Sequence, residues 1–327
     1  MKAEKIRWIL LALVLFCMCG CAPEHPIQPS QSTTEKEEAV SVQLNIMTFN
    51  VYYKDAQDQP VKNTEEKADC LVTTRGPKLL ALLAGEQIDV AGLQEAGPAW
   101  RYFLQNELKA PYTWFGQYTK STQEGGYIVY NSEKLTLMEH GYYFLAPGAP
   151  TSSEKGWDAD HDRLVTWGLF REKKSGVVFL FCDTHFDHAG AQARLESAKV
   201  VQQKMNQTIE QAKISYGLSQ IPAFLVGDLN CNAGSEPLQQ LQTTMTDARD
   251  LCEGEKPPMT ISSSPGLNYV ETEEDYIANS HYIDHIFVSG PVTVQSMHLI
   301  HSSTNLCPYG AYISDHNAVI AAVTVQN

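Results

Sequence analysis

Short apolar strands alternating with amphipathic helices predict an α/β or α+β sandwich rather than a helical bundle. Three observations lead there. Brief apolar runs recur, as at 88–93, 177–182 and 223–226, each too short for a helix and suited to a buried strand. Between them lie segments with helical spacing, the longest carrying Leu195, Ala198, Val201, Met205, Ile209 and Ala212. Polar residues gather where apolar runs stop, with Gly227-Asp228-Leu229-Asn230 after one and Ser314-Asp315-His316 before another. Catalytic groups are commonly placed at such strand ends.

The chain has 327 residues, 43% hydrophobic and 19% charged, an ordinary globular composition long enough for a sizeable core. The start is different in character. Lys2, Lys5 and Arg7 precede an apolar run at 8–16, shorter than the roughly 20 residues that span a bilayer. Residues 1–20 therefore read as a signal peptide. Gly20-Cys21-Ala22 resembles the bacterial lipobox, although Met18 stands where that motif prefers an aliphatic residue. Lipidation of Cys21 is the preferred reading, with plain secretion and a retained anchor as the alternatives. Residues 21–40, with Pro23, Pro26 and Pro29 and a Glu/Lys cluster, read as a flexible tether. One domain is expected over 41–327, outside the cytoplasm, either membrane-anchored through lipid or secreted.

Within the domain, the alternation at 42–48 predicts a half-buried strand ending at Phe49-Asn50, followed by a polar loop to about Arg75. Pro77 is expected in the first turn of a helix carrying Leu79, Leu80, Leu82 and Leu83. Residues 88–93 form a second strand ending at Gln94-Glu95, 100–109 a helix and 127–130 a strand. The Gly/Pro/Ser/Asp-rich stretch 146–162 is a long loop. Residues 164–171 and 177–182 make a hairpin, and 191–213 the longest helix.

Six polar positions terminate apolar strands: Asn50, Glu95, His185 with Asp187, Asp228 with Asn230, Asp284, and Asp315-His316. Alone, each has an ordinary explanation as a turn, a cap or a satisfied structural group. Together they supply oxygen ligands for a divalent cation and groups that move protons, which suggests metal-assisted hydrolysis.

The order of these motifs resembles the endonuclease/exonuclease/phosphatase superfamily: MTFN ending at Asn50, LQE at Glu95, DTHFDH at 183–188, GDLN from Gly227, YIDHIFVS from Tyr282 and SDHNAV from Ser314. The resemblance implies a DNase-like four-layer α/β sandwich, with two central mixed sheets flanked by helices. It implies that Glu95 is the principal ligand of Mg²⁺ or Mn²⁺, with Asn50 and Asp315 completing or neighbouring the shell. His316 would be general base or phosphate-polarising group, oriented by Asp284. Asp228 and Asn230 would orient the attacking water and contact phosphate. His185 would stabilise a non-bridging phosphate oxygen, supported by Glu124, and Arg163 would approach the phosphate. His285 has no matching role and is expected to be structural.

The resemblance leaves the substrate open among nucleic acid, a phospholipid head group and an inositol phosphate. A net charge of −14 repels polyanions at long range. No basic cluster interleaved with aromatics favours a processive nuclease, and no long apolar hairpin favours a sphingomyelinase. A nuclease or general phosphodiesterase is the leading expectation, a phosphatase or phospholipase C type enzyme the alternative, and an inactive surface-binding protein the rival from another class. Trp157 and Tyr309 are candidates for stacking on a base or sugar. A monomer is expected. Beyond the leader and Cys21, the odd number of cysteines, Cys70, Cys182, Cys231, Cys252 and Cys307, leaves at least one thiol free, and none forms a Cys-x-x-Cys pattern.

Overall fold

The first strand starts exposed and becomes buried on both faces from Ile46 to its end at Asn50. It opens a computed structural model that describes residues 40–256, 266–272 and 281–327. The proposed signal peptide, Cys21 and nearly all of the tether lie outside the described residues. No described helix is long and apolar enough to cross a membrane.

In chain order the elements are β1 (Ser41–Asn50), β2 (Gln59–Lys62), β3 (Lys67–Ala68), α1 (Val72–Gly85), β4 (Val90–Ala96), α2 (Pro98–Glu107), β5 (Tyr112–Tyr118), β6 (Gly125–Asn131) and β7 (Leu135–Phe144). There follow β8 (Leu164–Glu172), β9 (Val178–His185), α3 (Ala191–Tyr216), β10 (Ala223–Asp228), α4 (Glu236–Leu241), β11 (Thr246–Asp247), α5 (Ala248–Leu251), β12 (Leu267–Asn268), β13 (Asp284–Ser289), β14 (Val292–Ile300) and β15 (Ala318–Gln326). Two six-stranded mixed sheets result, ordered β14-β15-β1-β4-β6-β5 and β11-β13-β10-β9-β8-β7, with a small third sheet β12-β2-β3.

Period-two alternation builds the layers. Along β1, Leu44 and Ile46 enter the core between the sheets, whereas Met47 and Phe49 pack outward with Leu79, Leu82, Trp100 and Phe103 of α1 and α2. Along β9 and β10, Phe179, Phe181, Phe224 and Val226 face the other sheet, and Leu180, Cys182, Ala223 and Leu225 pack against Ala198, Val201 and Met205 of α3. Helices therefore cover both outer faces, giving the four-layer sandwich.

The inward register has a functional result. Continuing it in steps of two residues puts Asn50 at the end of β1, His185 at the end of β9 and Asp228 at the end of β10, all on the inward side. Asp228 is paired with His185 across the parallel β9–β10 ladder and with Asp284 across the antiparallel β10–β13 ladder. At Gly227, φ is 152°, and an added Cβ would sit 1.8 Å from the Thr184 carbonyl oxygen. Only glycine lets β10 approach β9 this closely beside Asp228.

Besides the short β2, β3, β11 and β12, three longer strands have no counterpart in the sequence expectations: β5, β7 and β14. Each is the outermost strand at an edge of its sheet. Helix α1 also begins at Val72, so Pro77 lies inside it rather than in its first turn. Proline there removes one intrahelical hydrogen bond. The turn before it is held by burial of Val72 and Arg75.

A buried carboxyl between the sheets makes a stability prediction. Asp183 is inaccessible to solvent and receives a 2.6 Å hydrogen bond from Nε2 of Gln94, which also donates to Thr48. Burial pushes its carboxyl up to about 8, against the hydrogen bonds from Gln94 and the Thr184 backbone. The folded value lies above the unfolded value of about 3.9, so the unfolded chain loses this proton first. Asp183 thus contributes fully below about pH 4, and that contribution is lost at up to roughly 1.4 kcal/mol per unit as pH rises to about 8. Asp183→Asn is expected to flatten the dependence of Tm on pH relative to wild type, with the largest gain at or above pH 8. Parallel curves for the two proteins would contradict this.

Candidate active site

The inward strand ends converge on a cleft of about 530 Å³. At its centre is Oδ2 of Asp228, 3.1 Å from Nδ2 of Asn50 and 3.6 Å from Nε2 of both His185 and His316. Asp228 is 2% exposed, so these contacts are made largely out of water. Asn50 also donates to Oε1 of Glu95 at 2.9 Å, while its own Oδ1 accepts the Tyr52 backbone N–H.

Glu95 reaches the cleft by a break in the strand pattern. Gln94 points inward to Asp183, so an unbroken strand would send Glu95 outward to the helices. Instead the β4–β6 register shifts between Leu93 and Ala96, and Glu95 takes a left-handed φ of 57°. This bulge re-aims the carboxylate to the inward side, a conformation that costs about 1–3 kcal/mol in a non-glycine residue. Asn230 is likewise left-handed, at φ 48°. Its N–H donates to Oδ1 of Asp228, its side-chain amide lies 3.0 Å from His185 Nε2, and intervening Leu229 is buried in the helix-side core.

The two histidines beside Asp228 have opposite electrostatics. Burial first, and then the cations Arg163 and His316, hold His185 well below the ordinary range. It is neutral. Arg163 Nη1 lies 2.9 Å from its Nδ1, and its Nε2 faces the cleft, 3.0 Å from Nδ2 of Asn230 and 3.6 Å from Oδ2 of Asp228. At His316, burial opposes the charged form, but Asp284, Asp228 and Asp315 outweigh it and raise the ring well above the ordinary range. Nδ1 of His316 lies 3.0 Å from Oδ2 of Asp284, itself inaccessible to solvent. Burial pushes the Asp284 carboxyl up to about 6, against the pull of His316.

Other expectations are adjusted by the geometry. Glu124 does not hydrogen-bond His185 directly: its carboxylate lies 3.6 Å from Arg163 Nη1, so the guanidinium stands between them. Burial and then Glu95 push Glu124 up to about 7. Arg163 is at the cleft but partly committed, to His185, Glu124 and, at 3.9 Å, Asp187. His285 is buried between Asp247 and the Cys231 carbonyl, as a structural group. Tyr309 packs in the α1 and α2 layer with its hydroxyl on Glu86, and Trp157 does not line the cleft. Among the described residues all five cysteines are buried and free. Burial raises the thiol of Cys231, next to Asn230, to about 11.

The donor set fits a hard divalent cation. The carboxylates of Glu95 and Asp228 supply the oxygen ligands that Mg²⁺ or Mn²⁺ prefers, whereas Asn50 turns its Nδ2 toward both and its Oδ1 accepts the Tyr52 N–H. Burial, then Glu95, pushes Asp315 up to about 7 against His316, a repulsion between carboxylates that a cation relieves. Glu95, His185 and Asp228 also present donor atoms within 4.8 Å of one another.

One residue of this region was not legible as functional. Arg75 is wholly buried in α1 and donates to five backbone carbonyls: Cys70 (2.8 Å), Val51 (2.6 Å), Ile313 (2.9 Å), Tyr52 (3.1 Å) and Lys54. Its guanidinium carbon lies 5.0 Å from the Trp100 ring centroid and 5.7 Å from that of Tyr52. It ties the segment after Asn50 to the segment before Asp315. A lone arginine after a polar loop carries no pattern that announces this. The only available signal was the helical phase it shares with Val72, Leu79 and Leu82.

Comparisons with known proteins bear on the family and the fold. The model of the Endonuclease/Exonuclease/phosphatase family matches residues 47–316. No curated protein sequence matches significantly. Among solved structures, an endonuclease/exonuclease/phosphatase family protein from Bacteroides thetaiotaomicron is 24% identical with a TM-score of 0.67, covering 88% of this chain and 96% of that one. A mannosyl-6-phosphatase from the same organism is 24% identical, with a TM-score of 0.64 and coverage of 86% and 99%. D. rerio TDP2, complexed with a single strand DNA product, is 19% identical, with a TM-score of 0.58 and coverage of 86% and 98%. With the family model spanning every strand end of the cleft, the chain belongs to the endonuclease/exonuclease/phosphatase family, whose members are hydrolases acting on phosphoesters.

Proposed function

We propose that the protein is a divalent-metal-dependent phosphoester hydrolase in which water attacks phosphorus in line with the leaving group. The convergence of Asn50, His185 and Asp228 with Glu95, Asn230 and the His316–Asp284 pair on one cleft carries the reading. Glu95, with Asn50 and Asp315, would hold Mg²⁺ or Mn²⁺, which when bound supplies Lewis-acid stabilisation of charge on phosphate oxygens.

The chain's own groups divide the remaining work. Asp228, with both imidazoles near one oxygen, is the acceptor placed to orient a water, and Asn230 is fixed beside it to contact phosphate. His185, with its Nε2 in the cleft beside Asp228 and Asn230, would stabilise a non-bridging oxygen that gains charge in the transition state. His316 is cationic, so of its two expected roles the charge state favours polarising phosphate over accepting a proton. Asp284 orients that ring and supports its charge.

The cleft suits a compact phosphoester better than a polymer. Among its lining residues Arg163 is the sole lysine or arginine, and the chain carries a net charge of −14. A polyanion is bound mainly through cations along its backbone. Of the leading pair, nuclease or general phosphodiesterase, the cleft favours the second, with phosphomonoesters beside it. The mannosyl-6-phosphatase that shares this fold adds sugar phosphates to the candidates.

The test is turnover on an aryl phosphodiester, sugar and inositol phosphates, sphingomyelin, DNA and RNA, each with Mg²⁺ or with chelator. Chelator-sensitive hydrolysis, faster on small esters than on polymers, is expected. No turnover on any of them would defeat the enzyme reading and favour a binding protein on the same fold. Preference for DNA or RNA would defeat the substrate reading alone.

A further inference from the structure

Beside the catalytic groups the cleft carries three donor side chains that the proposed reaction does not use. Asp160 and His161 lie in the long loop before β8, and His188 lies between β9 and α3. Oδ2 of Asp160 is 3.7 Å from Nε2 of His161 and 3.8 Å from Nε2 of His188, and the three donor atoms fall within 4.8 Å of one another. The two imidazoles are 5.5 Å apart between centroids, with planes inclined by 32°. Both rings line the cleft.

We propose that Asp160, His161 and His188 form a second divalent-cation site that takes a borderline metal of the Zn²⁺ and Co²⁺ class. Donor chemistry separates it from the first site. Two imidazoles and one carboxylate suit Zn²⁺ and its neighbours in the transition series, whereas an oxygen-only set suits Mg²⁺. Zn–N and Zn–O bonds of about 2.0–2.2 Å place the donors of a tetrahedral ion roughly 3.3–3.6 Å apart. The separations from Asp160 exceed that span by only a few tenths of an ångström. Three protein ligands also leave the fourth tetrahedral position open, the arrangement of zinc sites that bind water or substrate.

The trio stands on a braced framework although its side chains are exposed. Oδ2 of Asp187 accepts the backbone N–H groups of both Asp160 and His161, at 3.1 and 3.0 Å. Oδ1 of the same carboxylate accepts those of Ala189 and Gly190, at 3.0 and 2.7 Å, immediately after His188. One buried side chain therefore fixes both segments that supply ligands. Asp158 adds a second brace, accepting from the backbone N–H groups of Gln192 and Ala193 at the start of α3. Burial opposes charge on Asp187, but these four backbone donors outweigh it and bring the carboxyl down to about 2, so the brace is ionised throughout the working range. Binding at such a site needs small side-chain adjustments and little ordering of backbone.

This inference stands apart from the phosphoesterase reading, and its test reads binding rather than turnover. Co²⁺ is titrated into the Mg²⁺-saturated protein, followed by visible absorption and calorimetry. One saturable equivalent with a low-coordinate cobalt spectrum is expected, displaced by Zn²⁺. It is expected to persist in Glu95→Gln and to weaken at least about 10-fold in His188→Ala and in Asp160→Asn. Exposed His188 and Asp160 can be replaced without disturbing the core. Absence of Co²⁺ binding, or binding unchanged in the His161→Ala/His188→Ala double variant, would overturn the proposal. Loss in Glu95→Gln with retention in His188→Ala would also overturn it, by assigning the ion to the catalytic cluster.

Discussion

His316→Ala is expected to lower kcat about 10²–10⁴-fold on any substrate the protein hydrolyses. The reason is where the ring sits and what holds its charge. Nε2 lies 3.6 Å from the Asp228 oxygen at the centre of the cleft, and Asp284 holds Nδ1 at 3.0 Å. Alanine removes the imidazole held between Asp228 and Asp284, the group proposed to polarise phosphate. Leaving a buried carboxylate unpaired is ordinarily costly. Here the Asp284 carboxyl, already pushed up to about 6 by burial, can take a proton instead. The expected signature is a large fall in kcat with a modest fall in Tm. A variant that unfolds would be replaced by Asp284→Asn, which keeps the shape and weakens the hold on the ring; it should lower kcat in the same direction. Full activity in His316→Ala would show the assigned mechanism to be wrong.

Arg75→Met should produce the largest loss of stability among substitutions near the cleft, about 4 kcal/mol or more. Methionine matches the aliphatic stem and cannot donate. It would leave the five carbonyls without that donor in a buried setting, where each unsatisfied group costs roughly 1–3 kcal/mol. Relaxation and non-additivity keep the sum below the full product. A fall in Tm on the order of 10 °C follows for a domain of this size. Activity should fall as well, because the carbonyls belong to the segments that carry Asn50 and Asp315. Arg75→Lys is expected to rescue little, since an ammonium has three donors and no planar fork to stack between Trp100 and Tyr52. Calorimetry and steady-state kinetics on the two variants check this, and near-wild-type Tm in Arg75→Met would refute it.

These two residues also mark what the sequence disclosed and what it withheld. His316 was legible because its motif stands beside an apolar run and in the order of a known superfamily. Asp284, Asp228, Asn50 and His185 were legible for a related reason: each stands at one end of a buried strand, in phase with its two-residue alternation. Glu95 was read correctly as a cleft residue, but the alternation alone points it outward. Only the bulge, invisible without the partner strand, turns it inward. The relation of Glu124 to His185 was misread because the intervening guanidinium comes from a segment about 40 positions later in the chain. Arg75 was passed over because its partners are main-chain carbonyls, which leave no trace in side-chain patterns.

The fold followed the same division. Central strands such as β9 and β10 are buried on both faces and read as continuous apolar runs. The missed strands β5, β7 and β14 lie at sheet edges, where partial exposure mixes polar and apolar residues. The start of α1 was misplaced because Pro77 resembles a first-turn proline, whereas the buried pair Val72 and Arg75 sets the true start one turn earlier.

The central claim is that Glu95 anchors a divalent cation required for phosphoester hydrolysis. Its most direct test is the Mg²⁺ dependence of aryl phosphodiester hydrolysis by chelator-stripped wild type and Glu95→Gln. Wild type should be inactive when stripped and regain activity with micromolar to millimolar Mg²⁺. Glu95→Gln should need at least about 10-fold more Mg²⁺ and reach a lower kcat. Hydrolysis by the stripped protein, or overlapping Mg²⁺ curves for the two proteins, would contradict the claim.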